Sequence, residues 1–303
     1  MLTENKFELI SNYKENDKLR RSFNELSQKT FGINFEEWYQ KQLWKDKYEC
    51  YSVKLGDKII ANASVNKLKF LIGCKVKTAL QIGTVMTSEE FKNKGLSRKL
   101  MEHIMSKFEN EYDIIYLFAN KSVLQFYPKF GFYRVAQAQL FSNDKIPQNK
   151  KYNFRKLNMD NESDVNSLKK IAENRIPNST RFDVIDGQEV LYWYCLNVFR
   201  DNIYLDENAD LIVIYNFEKD KLLIHDIITT EQIDYRELIG SITKENIKEV
   251  TFNFNLEAEN VNIQQRLIED DDNVLFMKGD LNLDLDLNLN LDLVIVHPIT
   301  AHA

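Results

Sequence analysis

Apolar positions recur along this chain at two periods. Between Glu15 and Lys29, Leu19, Phe23 and Leu26 fall on one helical face. A second helix is expected from Asn34, with Glu37 three residues on completing a capping box and with Phe35, Trp38 and Leu43 apolar. Before them "KFELIS" reads as a short strand. After them "CYSVKLGDKIIANASV" reads as two strands around Leu55-Gly56-Asp57, and "KLKFLIGCKVKTALQIGTVM" turns at Ile72-Gly73. Leu96, Leu100, Ile104 and Phe108 then recur every four residues, with Met101 and Met105 beside them, which predicts a helix with one buried face. "DIIYLF" is an apolar run expected to be a buried strand. "SVLQFYPKF" is expected to be a short helix stopped by Gly131, and "GFYRVAQAQLF" one more strand.

The polar stretch Ser142 to Lys151 reads as a linker. Beyond it the same order of elements returns. "YNFRKL" is a strand, Ser163 to Asn174 and Gln188 to Phe199 are helices, and "ADLIVIYNFEKDKLLIHDII" is a hairpin turning at Glu218 to Asp220. Ile233 to Ile242 is a helix and "EVTFNF" a strand. The repetition lies in element order, not in residues. The pattern divides the chain into residues 1–141, a linker 142–151, and residues 152–303. From Asp280 to Leu293, Leu alternates with Asp or Asn; a repeat expansion in a loop or edge strand accounts for it better than a calcium site, which needs a turn and converging ligands.

Composition narrows the function. The 303 residues carry a net charge of -6, which argues against a nucleic-acid binder and suits a cationic partner. Three cysteines, far apart and odd in number, indicate neither a disulfide framework nor a metal site. The start, "MLTENKFELI", lacks the layout of a signal peptide, and no apolar run is long enough to span a bilayer, so no membrane partner and a cytoplasmic location are expected.

Candidate chemistry centres on "FKNKGLSRKL", Phe91 to Leu100. Gly95, among only 9 glycines, sits between lysines at the start of a helix. A helix N-terminus leaves backbone N–H groups without partners and attracts anions. Glycine allows close backbone approach, and Lys92, Lys94 and Arg98 add charge, so strand, basic loop and helix suit a pyrophosphate. "TVMTSEEFKNKGLSRKLM" resembles the cofactor motif of the GNAT acetyltransferase superfamily, a strand followed by [Arg/Gln]-x-x-Gly-x-[Gly/Ala] and a helix. Lys92, Gly95 and Ser97 take the three motif positions; Lys92 and Ser97 depart from the consensus. "YLFANKSVLQFYPKFGFYRV" resembles the segment closing the superfamily's site, with Asn120, Tyr127 and Gly131-Phe132 at the matching positions. The extra hairpin "LKFLIGCKVKTALQIGTV" further resembles the enhanced-intracellular-survival branch, whose members carry two such domains in tandem.

The resemblance implies an α/β fold of mixed-sheet acyltransferase type, in two tandem GNAT-like domains. The second is degenerate, since it holds no glycine-bearing basic loop between a strand and a helix. It implies acetyl-CoA as donor, transferred to a primary amine of a small molecule or peptide by direct attack in a ternary complex. Backbone amides of Val85, Met86 and Thr87 would hold and polarise the donor, and Lys92, Asn93, Lys94, Gly95, Leu96, Ser97, Arg98 and Asn120 would complete its site. Tyr127 matches the general acid. The terminal carboxylate, here Ala303 with His297 or His302 near it, matches a group that reaches the active site in the survival branch. Glu89 and Glu90 are expected on a solvated loop face, and spacing identifies no base. Two other readings stay open: a non-catalytic acyl-CoA sensor, which Tyr127 argues against, and an aminoacyl transferase using charged transfer RNA, which the acidic net charge argues against. Association into a homo-oligomer stays open as well.

Overall fold

The computed structural model describes residues 7–270, 272–279 and 295–302. The Leu-rich repeat and Ala303 lie outside these residues. The first half runs β1 (Glu8–Ser11), α1 (Asp17–Phe31), α2 (Glu36–Gln40), β2 (Tyr48–Leu55), β3 (Lys58–Ile72), β4 (Lys75–Thr87), α3 (Leu96–Lys107), β5 (Ile114–Ala119), β6 (Tyr133–Arg134) and β7 (Ala138–Ser142). The second runs β8 (Arg155–Lys156), α4 (Glu162–Glu173), β9 (Phe182–Ile185), α5 (Gln188–Asn197), β10 (Ile203–Asp206), β11 (Leu211–Glu218), β12 (Lys221–Thr229), α6 (Tyr235–Ile242), β13 (Glu249–Phe252), β14 (Gln264–Leu267) and β15 (Val274–Gly279).

Local chemistry sets most helix ends. Asn16 accepts hydrogen bonds from the Lys18 and Leu19 amides to start α1, and Gly32, at φ 73°, ends it. Asn161 and Asp234 cap α4 and α6 in the same way. The helix begun at Asn34 is shorter than its apolar spacing suggested. Asn34 turns back onto the Glu36 amide, and Glu37 pairs with Arg200 instead of closing a capping box. "SVLQFYPKF" forms two 3-10 turns, Lys121–Val123 and Tyr127–Phe130, the second with Pro128 in its first turn and Gly131 at φ 85° behind it.

Two mixed sheets result. The first has the order β1-β2-β3-β4-β5-β15-β6, with β9 added to β3; the second has the order β14-β7-β13-β12-β11-β10-β8. The sheets trade strands across the linker. "GFYRVAQAQLF" is not one strand: β6 stays in the first sheet while β7 crosses to the second, pairing with β13 and β14. In return β15 inserts between β5 and β6. A shared core joins the halves, with Phe23, Phe35, Trp38, Trp44 and Tyr48 packed against Leu168, Leu191 and Cys195. Burial of this apolar surface favours association of the halves.

The buried histidines make this association acid-sensitive. His225 is held between Asn216 and Asn253, and burial pushes its pKa down to about 4. Burial also lowers His297, and takes His302 to about 3. Unfolded histidine titrates near ~6.5, so the unfolded chain takes up protons first. The stability contributed by these uncharged rings is complete above that pH and is lost as pH falls toward 4, by at most about 1.4 kcal/mol per pH unit for each ring. Denaturant midpoints should therefore drop between pH 7 and 5, and His225→Gln should flatten that slope. A midpoint constant over this window would contradict it.

Candidate active site

β4 and β5 run parallel and pair from Ala79 with Ile114 to Ile82 with Leu117. Beyond that point they part, although β4 continues to Thr87 and β5 to Ala119. The cause lies in β4. Its register with β3 shifts between Asn62 and Ser64, and Thr84 sits at φ 49°, in the left-handed region. Such a residue costs roughly 1–3 kcal/mol and persists only where its surroundings hold it. Here they do. The buried Asn62 donates to the Thr84 carbonyl at 2.9 Å and accepts from Ser52 Oγ at 2.8 Å. The Tyr48 hydroxyl, its pKa driven up by burial, meets Thr84 Oγ1 at 2.6 Å.

A cleft of about 770 Å³ opens where the strands separate. Val85, Met86 and Thr87 form one wall, and Asn120 and Tyr127 the other. Lys92, Asn93, Gly95, Leu96, Ser97 and Arg98 line its end. Of the residues singled out in the sequence, Lys94 is not among those lining the cleft; its ammonium lies 4.8 Å from the Phe91 ring centroid.

The loop leaves its backbone amides open. Asn93 and Gly95 both have positive φ, at 62° and 74°. Gly95 stands at the N-cap of α3 without a side-chain cap. The first helical amide to find a partner is that of Lys99, on the Gly95 carbonyl at 3.0 Å; the amides of residues 93–98 find none among the described residues. A Cβ at Gly95 would meet no atom within 4 Å, so the glycine answers to its backbone angle and to the open cleft rather than to crowding. Ser97 does not offer a free hydroxyl, since its Oγ is 2.8 Å from Thr87 Oγ1, a bond that ties helix to strand. Asn120 spends its side-chain oxygen on the Ser122 amide and hydroxyl. Lys92 pairs with Glu89, and Glu90 with Lys58, which keeps both carboxylates off the cleft wall.

Tyr127 is buried, yet its hydroxyl has no hydrogen bond among the described residues, and burial pushes its pKa up to about 12. It therefore remains a proton donor at neutral pH. Phe276 of β15 packs against its ring at 6.1 Å, so a strand from the far end of the chain fixes its position. Among the lining residues that sequence reasoning missed are Thr30 and Phe31 at the end of α1, Ile33 beyond it, Gly83, and Phe118 on β5. No local pattern marks them.

The C-terminal segment reaches this site. Thr300 bonds Asp226, which Arg175 grips in turn, and the His302 ring lies tilted against Phe118 with centroids 3.5 Å apart. On the way the tail closes the equivalent gap of the second sheet. There β12 and β13 pair in parallel only as far as Ile224 with Phe252. Past that point the Ile299 amide takes the Asn253 carbonyl and the Ile176 amide takes that of Thr229. The backbone carbonyls of Asn253 and Thr229 are thereby bonded to the chain itself.

Residues 13–136 match the family model of an acetyltransferase (GNAT) domain. A search of curated proteins gives no match. Among solved structures, a probable N-acyltransferase from Enterococcus faecalis V583 is similar with a TM-score of 0.59 at 12% identity, over 90% of this chain and 72% of that one. Eis1 from Mycobacterium abscessus is similar with a TM-score of 0.56 at 12% identity, over 90% and 73%. A GCN5-related N-acetyltransferase from Anabaena variabilis gives 0.54 at 16% identity, over 90% and 72%. At these identities the likeness is one of fold. The strand separation, the bare amide loop and the family match agree: residues 13–136 match a GNAT acetyltransferase domain, within a two-sheet fold similar to that of Eis1.

Proposed function

We propose that the protein is a cytoplasmic N-acetyltransferase that moves the acetyl group of acetyl-CoA to a primary amine, and that its first segment, residues 1–141, holds the donor while residues 152–303 bind none. The observation that carries this reading is that Asn93 and residues 95–98, whose amides find no partner among the described residues, share one cleft with Tyr127, whose hydroxyl finds none there either. The donor fits what the residues offer. A phosphate-sized anion finds the amide cradle and Arg98, and a peptide-like arm finds the unpaired edge of β4 from Gly83 to Thr87, which it can join as an added strand. Acetyl-CoA supplies an activated acyl group on a thiol that leaves.

The chain's own groups would do the rest. The Val85 and Met86 amides face developing negative charge, as an oxyanion-type donor does. Tyr127 gives its proton to the departing sulfur. The acceptor must shed a proton, because an alkylamine with pKa near ~10.4 is about one part in 1000 free at neutral pH. The Ala303 carboxylate is our candidate for that proton, supported by the neighbouring His302 on Phe118. The sequence suggested a cationic acceptor; among the described residues no Asp or Glu lines the cleft.

The test is thiol release from acetyl-CoA with a panel of amines. Amine-dependent release is expected, and calorimetry should count one acetyl-CoA per chain. Release independent of every amine, with binding intact, would favour an acyl-CoA sensor. Removing residues 301–303 should raise KM for the acceptor or lower kcat while leaving acetyl-CoA affinity unchanged. Identical kinetics would remove the tail from the mechanism.

A further inference from the structure

The cleft runs through the first sheet from one face to the other. Successive side chains of a strand point to opposite faces. Ile82 of β4 and Ala119 of β5 belong to the face under α3, packed with Leu96 and Tyr127. Met86 and Phe118 belong to the other face. Met86 packs with Phe23 and Leu26 of α1, and Phe118 with Phe70 and Tyr116. Residues of both faces, Ile82 and Ala119 as well as Met86 and Phe118, line the one cleft. It therefore has one mouth beside the basic loop and Tyr127, and a second on the face that α1 covers. At that second mouth the end of α1 and the turn after it add Thr30, Phe31 and Ile33.

The second mouth presents apolar surface. Its polar side chains, Thr30 and Thr84, are already bonded within the chain: Thr30 donates to the Leu26 carbonyl at 2.8 Å, and Thr84 Oγ1 meets the Tyr48 hydroxyl at 2.6 Å. Phe31 is 44% exposed and joins none of the hydrophobic clusters among the described residues. Its place is nonetheless fixed, because Gly32, at φ 73°, ends the helix with its amide on the Gln28 carbonyl at 3.0 Å. A ring held at the rim of a cleft, outside every core, is surface that a ligand can cover. The charged side chains lining the cleft, among the described residues, are Lys92 and Arg98, both cationic.

We propose that the second mouth admits the acceptor, and that the acceptor is a monoamine with a flat apolar body, an arylalkylamine by chemical class, lying against Phe31, Ile33, Met86 and Phe118. The inference rests on the acetyltransferase reading above. With the donor on the α3 face, an acceptor entering from the α1 face reaches the acyl carbon where the strands part, and neither ligand blocks the other. The amine nitrogen bonds the acetyl carbon, the C–S bond breaks, the amine sheds its proton and Tyr127 protonates the sulfur. An aromatic body removes apolar surface from water at Phe31 and gains ring contacts there and at Phe118. A second ammonium on the acceptor would instead leave water for a wall that offers it no carboxylate among the described residues.

Three primary amines test this with the full chain: 2-phenylethylamine, ethylamine and 1,4-diaminobutane, each measured as kcat/KM for thiol release from acetyl-CoA. The aryl amine should exceed ethylamine by at least ~10-fold, the scale of burying one phenyl ring, and the diamine should not exceed ethylamine. In Phe31→Ala the aryl preference should fall to within about threefold, chiefly through KM, with the acetyl-CoA Kd retained. Phe31→Asp, which sets a carboxylate at the rim, should move the preference toward the diamine. Because Phe31 joins no core, both variants should fold, which thermal melting checks; Ile33→Ala repeats the test at the neighbouring position. Equal kcat/KM for the aryl amine and ethylamine in the parent, a preference for the diamine, or an aryl preference that survives all three substitutions would overturn the proposal. Octanoyl-CoA outperforming acetyl-CoA with ethylamine would give the mouth to the donor's acyl chain and overturn it too. Acetyl-CoA binding without release by any amine would instead overturn the acetyltransferase reading.

Discussion

Gly95→Asp should weaken acetyl-CoA binding at least 100-fold while the chain stays folded. The Gly95 backbone, at φ 74°, favours glycine, but Asp and Asn tolerate the left-handed region best among other residues, and a Cβ there meets no atom within 4 Å. The damage therefore falls on the ligand. A carboxylate about 4 Å from a phosphate costs roughly 4 kcal/mol at an effective dielectric near 20, which is nearly three powers of ten in affinity. Gly95→Asn separates charge from bulk. It should cost far less than the aspartate, and the difference should shrink with added salt. Equal loss in both would mean that backbone strain or volume controls the loop. Unchanged affinity in both would place the phosphates elsewhere.

Tyr127→Phe should lower kcat by about 100-fold or more, within the range typical of a general acid, and leave the acetyl-CoA Kd nearly unchanged. The prediction is sharp because Tyr127 has no hydrogen bond among the described residues, so removing its hydroxyl orphans no partner and the ring contacts to Phe132 and Phe276 survive. Melting temperature should hold or rise. Since its pKa is pushed up to about 12, no alkaline loss of activity from this group is expected below about pH 10. Unchanged kcat would return Tyr127 to the role of a core aromatic, with water protonating the sulfur.

The sequence by itself carried the features that depend on neighbours in the chain. The period of Leu96, Leu100 and Ile104 makes α3, the turns at Gly56 and Gly73 set the hairpins β2–β3 and β3–β4, and the glycine in a basic loop before α3 marks the proposed anion site. Tyr127 was legible only through its distance from "GF", since its burial and its bare hydroxyl depend on the distant β15. What the chain order hides is which strands become neighbours. Neither the exchange of β7 for β15 nor the meeting of Phe31, Met86 and Phe118 at one mouth of the cleft leaves a local signal, because each depends on how segments far apart in sequence are placed. The same holds for the bulge that parts β4 from β5. A threonine at φ 49° is unfavourable alone, and only Asn62 and Tyr48, brought in from two other strands, make it the stable arrangement that opens the cleft.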